Sequence, residues 1–232
     1  IAIDKHLSAD GVYYFVHILE HQTFTNTAWA RRHAEFLTQL PLVIAVNLGI
    51  EDIEKLSLIF GAGMLTAPLL SFLLSAWALP PERKWFLCFP LSTFLIFSLQ
   101  GDYLLVGEYH VLASLSWPAL FLLLRAKTLR IHHWVVALVL LGILGRTYET
   151  ALVMMFLYGG VLIRDLQESG HTRFFAAIGL AICIASILVS ITFIFEPRSG
   201  VQRSSFLSSL STIWKILEIR GILVFMGATL VS

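Results

Sequence analysis

Apolar residues fall in long blocks along most of this chain, and the polar residues gather in short stretches between the blocks. The blocks predict bilayer-crossing helices at about Lys55–Leu79, Trp85–Leu99, Tyr103–Leu124, His133–Leu144, Thr150–Ile163 and Phe174–Phe195, with a seventh starting at Trp214. The first fifty residues have a different texture. Val12, Tyr13, Phe15, Val16 and Leu19 recur at helical spacing beside His17, Glu20 and His21, which predicts a helix lying flat at a membrane surface. A second such helix is predicted from Thr27 to Leu40, and Thr23–Asn26 supplies capping residues at the break between them. The expected fold is therefore all-α: a polytopic transmembrane helix bundle over residues 55–232, preceded by an outer loop, residues 1–54, carrying two interfacial helices.

Composition sharpens this picture. Hydrophobic residues make up 57% of the chain, charged residues only 13%, and the mean hydropathy is +0.81, more apolar surface than one soluble core of this size hides. Lipid is the solvent these numbers imply. A net charge of +1 gives no electrostatic footprint for nucleic acid, and Cys88 and Cys183 both lie in apolar runs, so no disulfide framework is expected. The chain opens without an initiator Met and closes inside the apolar run Gly221–Ser232, so it reads as a fragment, with a helix expected before Ile1 and more after Ser232.

Charge placement then decides topology. The stretch Gly145-Arg146-Thr147-Tyr148-Glu149 either turns the chain between two short spans or sits in the middle of one long helix. With a turn there, the loops Pro80–Lys84, Arg125–His133 and Arg164–Arg173 all fall on one side, which the positive-inside rule makes cytoplasmic. Without it, Arg164–Arg173 crosses over. The turn also gathers residues 1–50, Gln100–His110, Arg146–Glu149 and Glu196–Thr212 on the other, extracytoplasmic face. Asp10, Asp102, Glu108, His110, Arg146 and Glu149 then reach one membrane boundary from separate segments.

Asp10 lies in Ser8-Ala9-Asp10-Gly11-Val12-Tyr13-Tyr14, ahead of the aromatics and the two surface helices. This layout resembles the GT-C glycosyltransferases, multi-spanning enzymes that use lipid-phosphate-linked sugars. Phe36-Leu37-Thr38-Gln39-Leu40-Pro41, Gly107-Glu108-Tyr109-His110 and Gly145–Glu149 look like uncharacterised bacterial members of that superfamily. The resemblance implies that an acidic residue of the first outer loop, here Asp10, is the catalytic base. It departs from the family in two respects: Gly11 follows Asp10 where a second acid often stands, and the helix expected ahead of Asp10 is absent from this sequence. The implied protein sits in a bacterial inner membrane and moves a sugar from a polyprenyl-phosphate-linked donor to a glycan, lipid or protein acceptor; no cofactor is expected, and metal dependence stays open.

Such a transfer needs a base for the acceptor hydroxyl and positive charge for the departing phosphate. Asp10 suits the first need, and Arg146, whose guanidinium forks onto phosphate oxygens, suits the second. Glu108, His110, Tyr148 and Glu149 are the further substrate-binding candidates. Each has a plainer reading: Asp10 as a helix N-cap, Arg146 and Glu149 as an ion pair at helical spacing, Glu108 and His110 as wet residues at headgroup level. A transporter or lipid-carrier flippase is the alternative function, with the same charges lining a path. His17-Ile18-Leu19-Glu20-His21 matches the inverted zinc-protease pattern, but no third ligand is evident. Trp29, Trp85, Trp117, Trp134 and Tyr103 read as interface anchors, and Pro68, Pro90 and Pro118 as intraspan kinks.

Overall fold

The computed structural model describes residues 10–25, 32–95, 108–125, 129–147 and 151–194, and among them the chain is all-α. The helices are α1 (Asp10–His21), α2 (Arg32–Asn47), α3 (Ile53–Ala78), α4 (Cys88–Phe94), α5 (Glu108–Leu124), α6 (Ile131–Leu144), α7 (Ala151–Asp165) and α8 (His171–Ile194), with a 3-10 helix over Pro81–Leu87. The chain forms two compact units, residues 1–190 and 191–232; helices α1 to α7 and all but the end of α8 belong to the first. Two helices, Ile53–Ala78 and His171–Phe193, are long and apolar enough to cross a membrane. At 1.5 Å per residue the 26 residues of α3 span about 39 Å.

Several boundaries differ from expectation. α2 does not end at Leu40 but runs through Pro41 to Asn47, because packing along α3 outweighs the single backbone bond that the proline removes. The expected span Trp85–Leu99 is, in its described part, a 3-10 helix followed by the seven residues of α4. Two of the expected interface anchors are packing residues instead. Trp134 is fully buried and stacks on Phe175 at 5.8 Å, while Trp117 stacks on Phe89 and donates from Nε1 to Thr93 Oγ1 at 2.8 Å. Trp85 remains exposed, as an anchor would be. Trp29 and Tyr103 lie outside the described residues.

Cross-helix contacts fix the directions. Ser71 Oγ donates to the Ser114 carbonyl, and Arg125 Nη1 to the Ala78 carbonyl, so α3 and α5 run the same way. The first of these bonds has a sequence cause. Ser114 stands four residues before Pro118, whose missing N–H leaves that carbonyl without its helical donor, and the Ser71 hydroxyl supplies one. Trp77 stacks on His133 at 4.4 Å, which brings the start of α6 to the end of α3. A Cβ placed on Gly179 would lie 3.1 Å from the Leu162 side chain and 3.3 Å from that of Leu138. In one continuous helix Leu138 and Leu162 would stand about 36 Å apart, so the chain reverses between α6 and α7.

That reversal brings the basic segments together. Pro80–Lys84 follows the end of α3, Arg125 bonds that end, and His171 Nε2 lies 3.4 Å from the Leu129 carbonyl across the next loop. The three basic loops thus share one end of the bundle, whereas α1 and α2 pack against the first half of α3 at the opposite end. There Tyr14, Phe15 and Ile18 join Leu42, Val43, Ala45, Leu56, Phe60 and Met64 in a separate apolar core. Close approach is required at Gly63, where a Cβ would meet the Thr38 carbonyl at 2.8 Å and the Pro41 ring at 3.2 Å.

Asp52 starts α3. Its Oδ1 accepts the N–H groups of Glu54 and Lys55 at 3.1 and 3.2 Å, and Lys55 Nζ lies 3.0 Å from Oδ2. The Lys55 side chain first, and then these N–H groups, hold the carboxyl below its usual 3.8. A depressed folded value means that the stabilisation is complete above 3.8 and fades as pH falls through the folded value. An Asp52→Ala protein is therefore expected to melt below the wild type at neutral pH, with the gap narrowing only in more acid solution than pH 3.8; a gap that narrows between neutrality and that pH contradicts this assignment.

Candidate functional site

The described candidate residues lie on α1, on α5 and at the end of α6, and α3 serves as a ruler for their heights. Ser114 lies opposite Ser71, so Glu108, six residues earlier on a helix running the same way, stands level with about residue 65 of α3. His133 lies opposite Trp77, and α6 packs along α5, so Arg146, thirteen residues on, comes level with about residue 64 of α3. For α1, Phe15 packs on Phe60 at 5.7 Å, while the Gln22 carbonyl accepts from Asn47 Nδ2 at 3.0 Å close to the α2–α3 turn. α1 therefore climbs toward that turn, and its first residue, Asp10, stands near the level of residue 65 as well. Counted along the helices, Asp10, Glu108 and Arg146 thus fall within about one helical turn of height. His110 follows Glu108 by half a turn on α5.

Asp10 lies on the first described turn of α1, and Glu108 on that of α5. Arg146 follows the last residues of α6, whose end is closed by N–H bonds from Gly145 to the Leu141 carbonyl, from Arg146 to Ile143 and from Thr147 to Leu144. A cation at that end is favoured by the dipole whatever else it does. Arg146 is half-buried, and Thr147 beside it is fully buried, donating from Oγ1 to the Ile143 carbonyl at 2.8 Å. Tyr148 and Glu149, and with them the expected Arg146–Glu149 ion pair, lie outside the described residues, as does Asp102.

The zinc-protease pattern does not assemble a triad. His17 and His21 face each other with ring centroids 4.3 Å apart, but among the described residues no three His, Cys, Asp or Glu side chains are placed to share an ion.

Other polar residues carry weight that the sequence did not advertise. Gln39 clamps the chain after α1: its Oε1 accepts the Thr25 N–H at 2.8 Å and its Nε2 donates to the Thr25 carbonyl at 3.1 Å. Both residues are buried, and the signal in the sequence was slight: a glutamine within the mostly apolar stretch Phe36–Pro41. Tyr158 Oη donates to the Ser116 carbonyl at 3.1 Å and ties α7 to α5. At the basic end Asp165 is fully buried; its Oδ1 accepts from Arg164 Nε at 3.0 Å and Nη2 at 2.9 Å, and its Oδ2 has no hydrogen-bond partner among the described residues.

No protein-family model, curated protein or solved structure matches this chain. Its function is therefore to be read from the placement of its own residues.

Proposed function

We propose that this chain is part of a polytopic membrane glycosyltransferase of GT-C type. It lies in a bacterial inner membrane with the three basic loops in the cytoplasm and the turn between α2 and α3 on the extracytoplasmic side. A sugar passes from a polyprenyl-phosphate-linked donor to a glycan, lipid or protein acceptor. Asp10 takes the proton from the acceptor hydroxyl, and Arg146 holds the phosphate as the sugar leaves it. Glu108, His110, Tyr148 and Glu149 line the substrate site.

One observation carries this reading: the common height of Asp10, Glu108 and Arg146. That height is 13 or 14 residues from Ala78, about 20 Å from the basic end, or two-thirds of the way across a hydrocarbon layer of about 30 Å. Charged residues at such depth are tolerated only where partners or water receive them, and they mark sites more often than scaffolding. Lipid as the surrounding solvent is supported by the outer surfaces of the long helices. Leu69, Phe72 and Leu73 on α3, Phe156 and Leu157 on α7, and Ile184 and Leu188 on α8 are all exposed. Only 28% of the apolar window of α8 is buried, the reverse of a helix in a soluble core.

Side-specific labelling tests the orientation. In a background with Cys88 and Cys183 replaced by serine, a membrane-impermeant thiol reagent added to intact cells is expected to modify Glu51→Cys, beside the start of α3. Ser169→Cys, in the α7–α8 loop, is expected to react only after permeabilisation. Equal labelling of both from outside removes the extracytoplasmic site and the transferase with it.

A further inference from the structure

The histidine pair on α1 plays no part in the proposed transfer, and one of its rings is anchored from outside its own helix. His17 and His21 stand one helical turn apart, with ring centroids 4.3 Å apart and planes inclined by 57°. His17 Nδ1 lies 2.9 Å from Thr25 Oγ1. Thr25 is buried and held on both its backbone groups by Gln39 of α2, so the contact that orients the His17 ring is fixed from a different helix. In the tautomer whose Nδ1–H donates to the threonine oxygen, Nε2 carries the free lone pair. Metal-ligating histidines are commonly held in this way, by a hydrogen bond at the ring nitrogen that does not bind the ion. His21 is exposed and His17 half-buried, so solvent reaches the pair.

We infer that His17 and His21 form a two-imidazole site for a borderline-soft divalent cation such as Cu²⁺ or Zn²⁺, with Thr25 and Gln39 as positioning residues. Imidazole nitrogen suits these ions, and hard ions such as Mg²⁺ or Ca²⁺, which prefer oxygen, are excluded by the same chemistry. With no third protein ligand among the described residues, water fills the remaining positions. The site stands whether or not the chain is a transferase, because nothing in its geometry uses Asp10 or Arg146.

Cu²⁺ titration of the purified, metal-free full chain, followed by electron paramagnetic resonance, reads the site directly. The chain holds eight histidines, among them the adjacent pair His132 and His133 with ring centroids 4.1 Å apart, so variants must separate the contributions. The wild type is expected to bind one Cu²⁺ with a two-nitrogen imidazole signature. His21→Gln, a change at an exposed position, is expected to abolish that signature. Thr25→Val is expected to weaken binding by about tenfold, the lower end of what loss of an orienting partner does. A His132→Gln/His133→Gln protein is expected to keep the signature. Unchanged binding in His21→Gln, or loss of the signature with the His132/His133 variant instead, overturns the site.

Discussion

An Asp10→Asn protein is expected to lose about 10²- to 10⁴-fold in sugar transfer, the usual range for removing a general base, while folding as the wild type does. Asparagine has nearly the shape of aspartate, so α1 is expected to keep its fold. What is lost is the lone pair that accepts the acceptor's proton at neutral pH. The measurement is transfer of radiolabelled sugar from a polyprenyl-phosphate-linked donor by the full-length protein, with a thermal melt alongside. A melt that matches the wild type together with collapsed transfer separates the base from the cap. Undiminished transfer by Asp10→Asn removes the base assignment, and absence of transfer in the wild type removes the reaction class.

Gly145→Ala is expected to destabilise the protein by about 1–2 kcal/mol, although alanine is the better helix former. Gly145 has φ of −62° at the end of α6, so no backbone strain favours glycine there, and relief of glycine's flexibility is worth at most about 1 kcal/mol to the variant. Against this stands a collision with α8. The new Cβ would run into Ser186 Oγ and lie 2.7 Å from Ser186 Cβ. The hydroxyl can rotate, at the expense of its 2.8 Å bond to the Ile182 carbonyl, but a Cβ moves only with its backbone. α8 must therefore shift away from α6, an overpacking of the kind that costs about 1–3 kcal/mol. Gly160→Ala is the control, since a Cβ there meets nothing within 4 Å and the helix-propensity gain is left unopposed. Equilibrium unfolding of the two purified variants is expected to rank Gly145→Ala below the wild type and Gly160→Ala at or above it. The same rank for both would mean that α6 and α8 do not approach at Gly145, and the height assigned to Arg146 would have to be redrawn.

Much of the architecture was legible along the chain. The apolar runs mark α3, α5, α6, α7 and α8 to within a few residues, because helix hydrogen bonds are local and run length reports directly on helix length. The turn near Arg146 was readable from charge, since only a reversal there gathers the three basic loops. The limits of α2 were not readable: Pro41 looks like a stop, and only its contact with Gly63 explains why the helix continues past it. Nor were Trp117 and Trp134 readable as core residues, since an indole at the end of an apolar run looks the same whether lipid or Phe175 faces it.

The amino-acid sequence by itself determined that the chain is helical, where its long helices lie and which loops are basic, because those properties depend on neighbours a few residues apart. It also supplied the chemically capable residues Asp10, Glu108 and Arg146. That these residues stand at one height was decided only in three dimensions, by register between helices. Register is set where side chains distant in sequence interlock, as Ser71 does with the carbonyl freed by Pro118, Gln39 with Thr25 and Ser186 with the bare face of Gly145. No periodicity along a single helix encodes such a match, since sliding one helix past another by a turn leaves every local pattern intact.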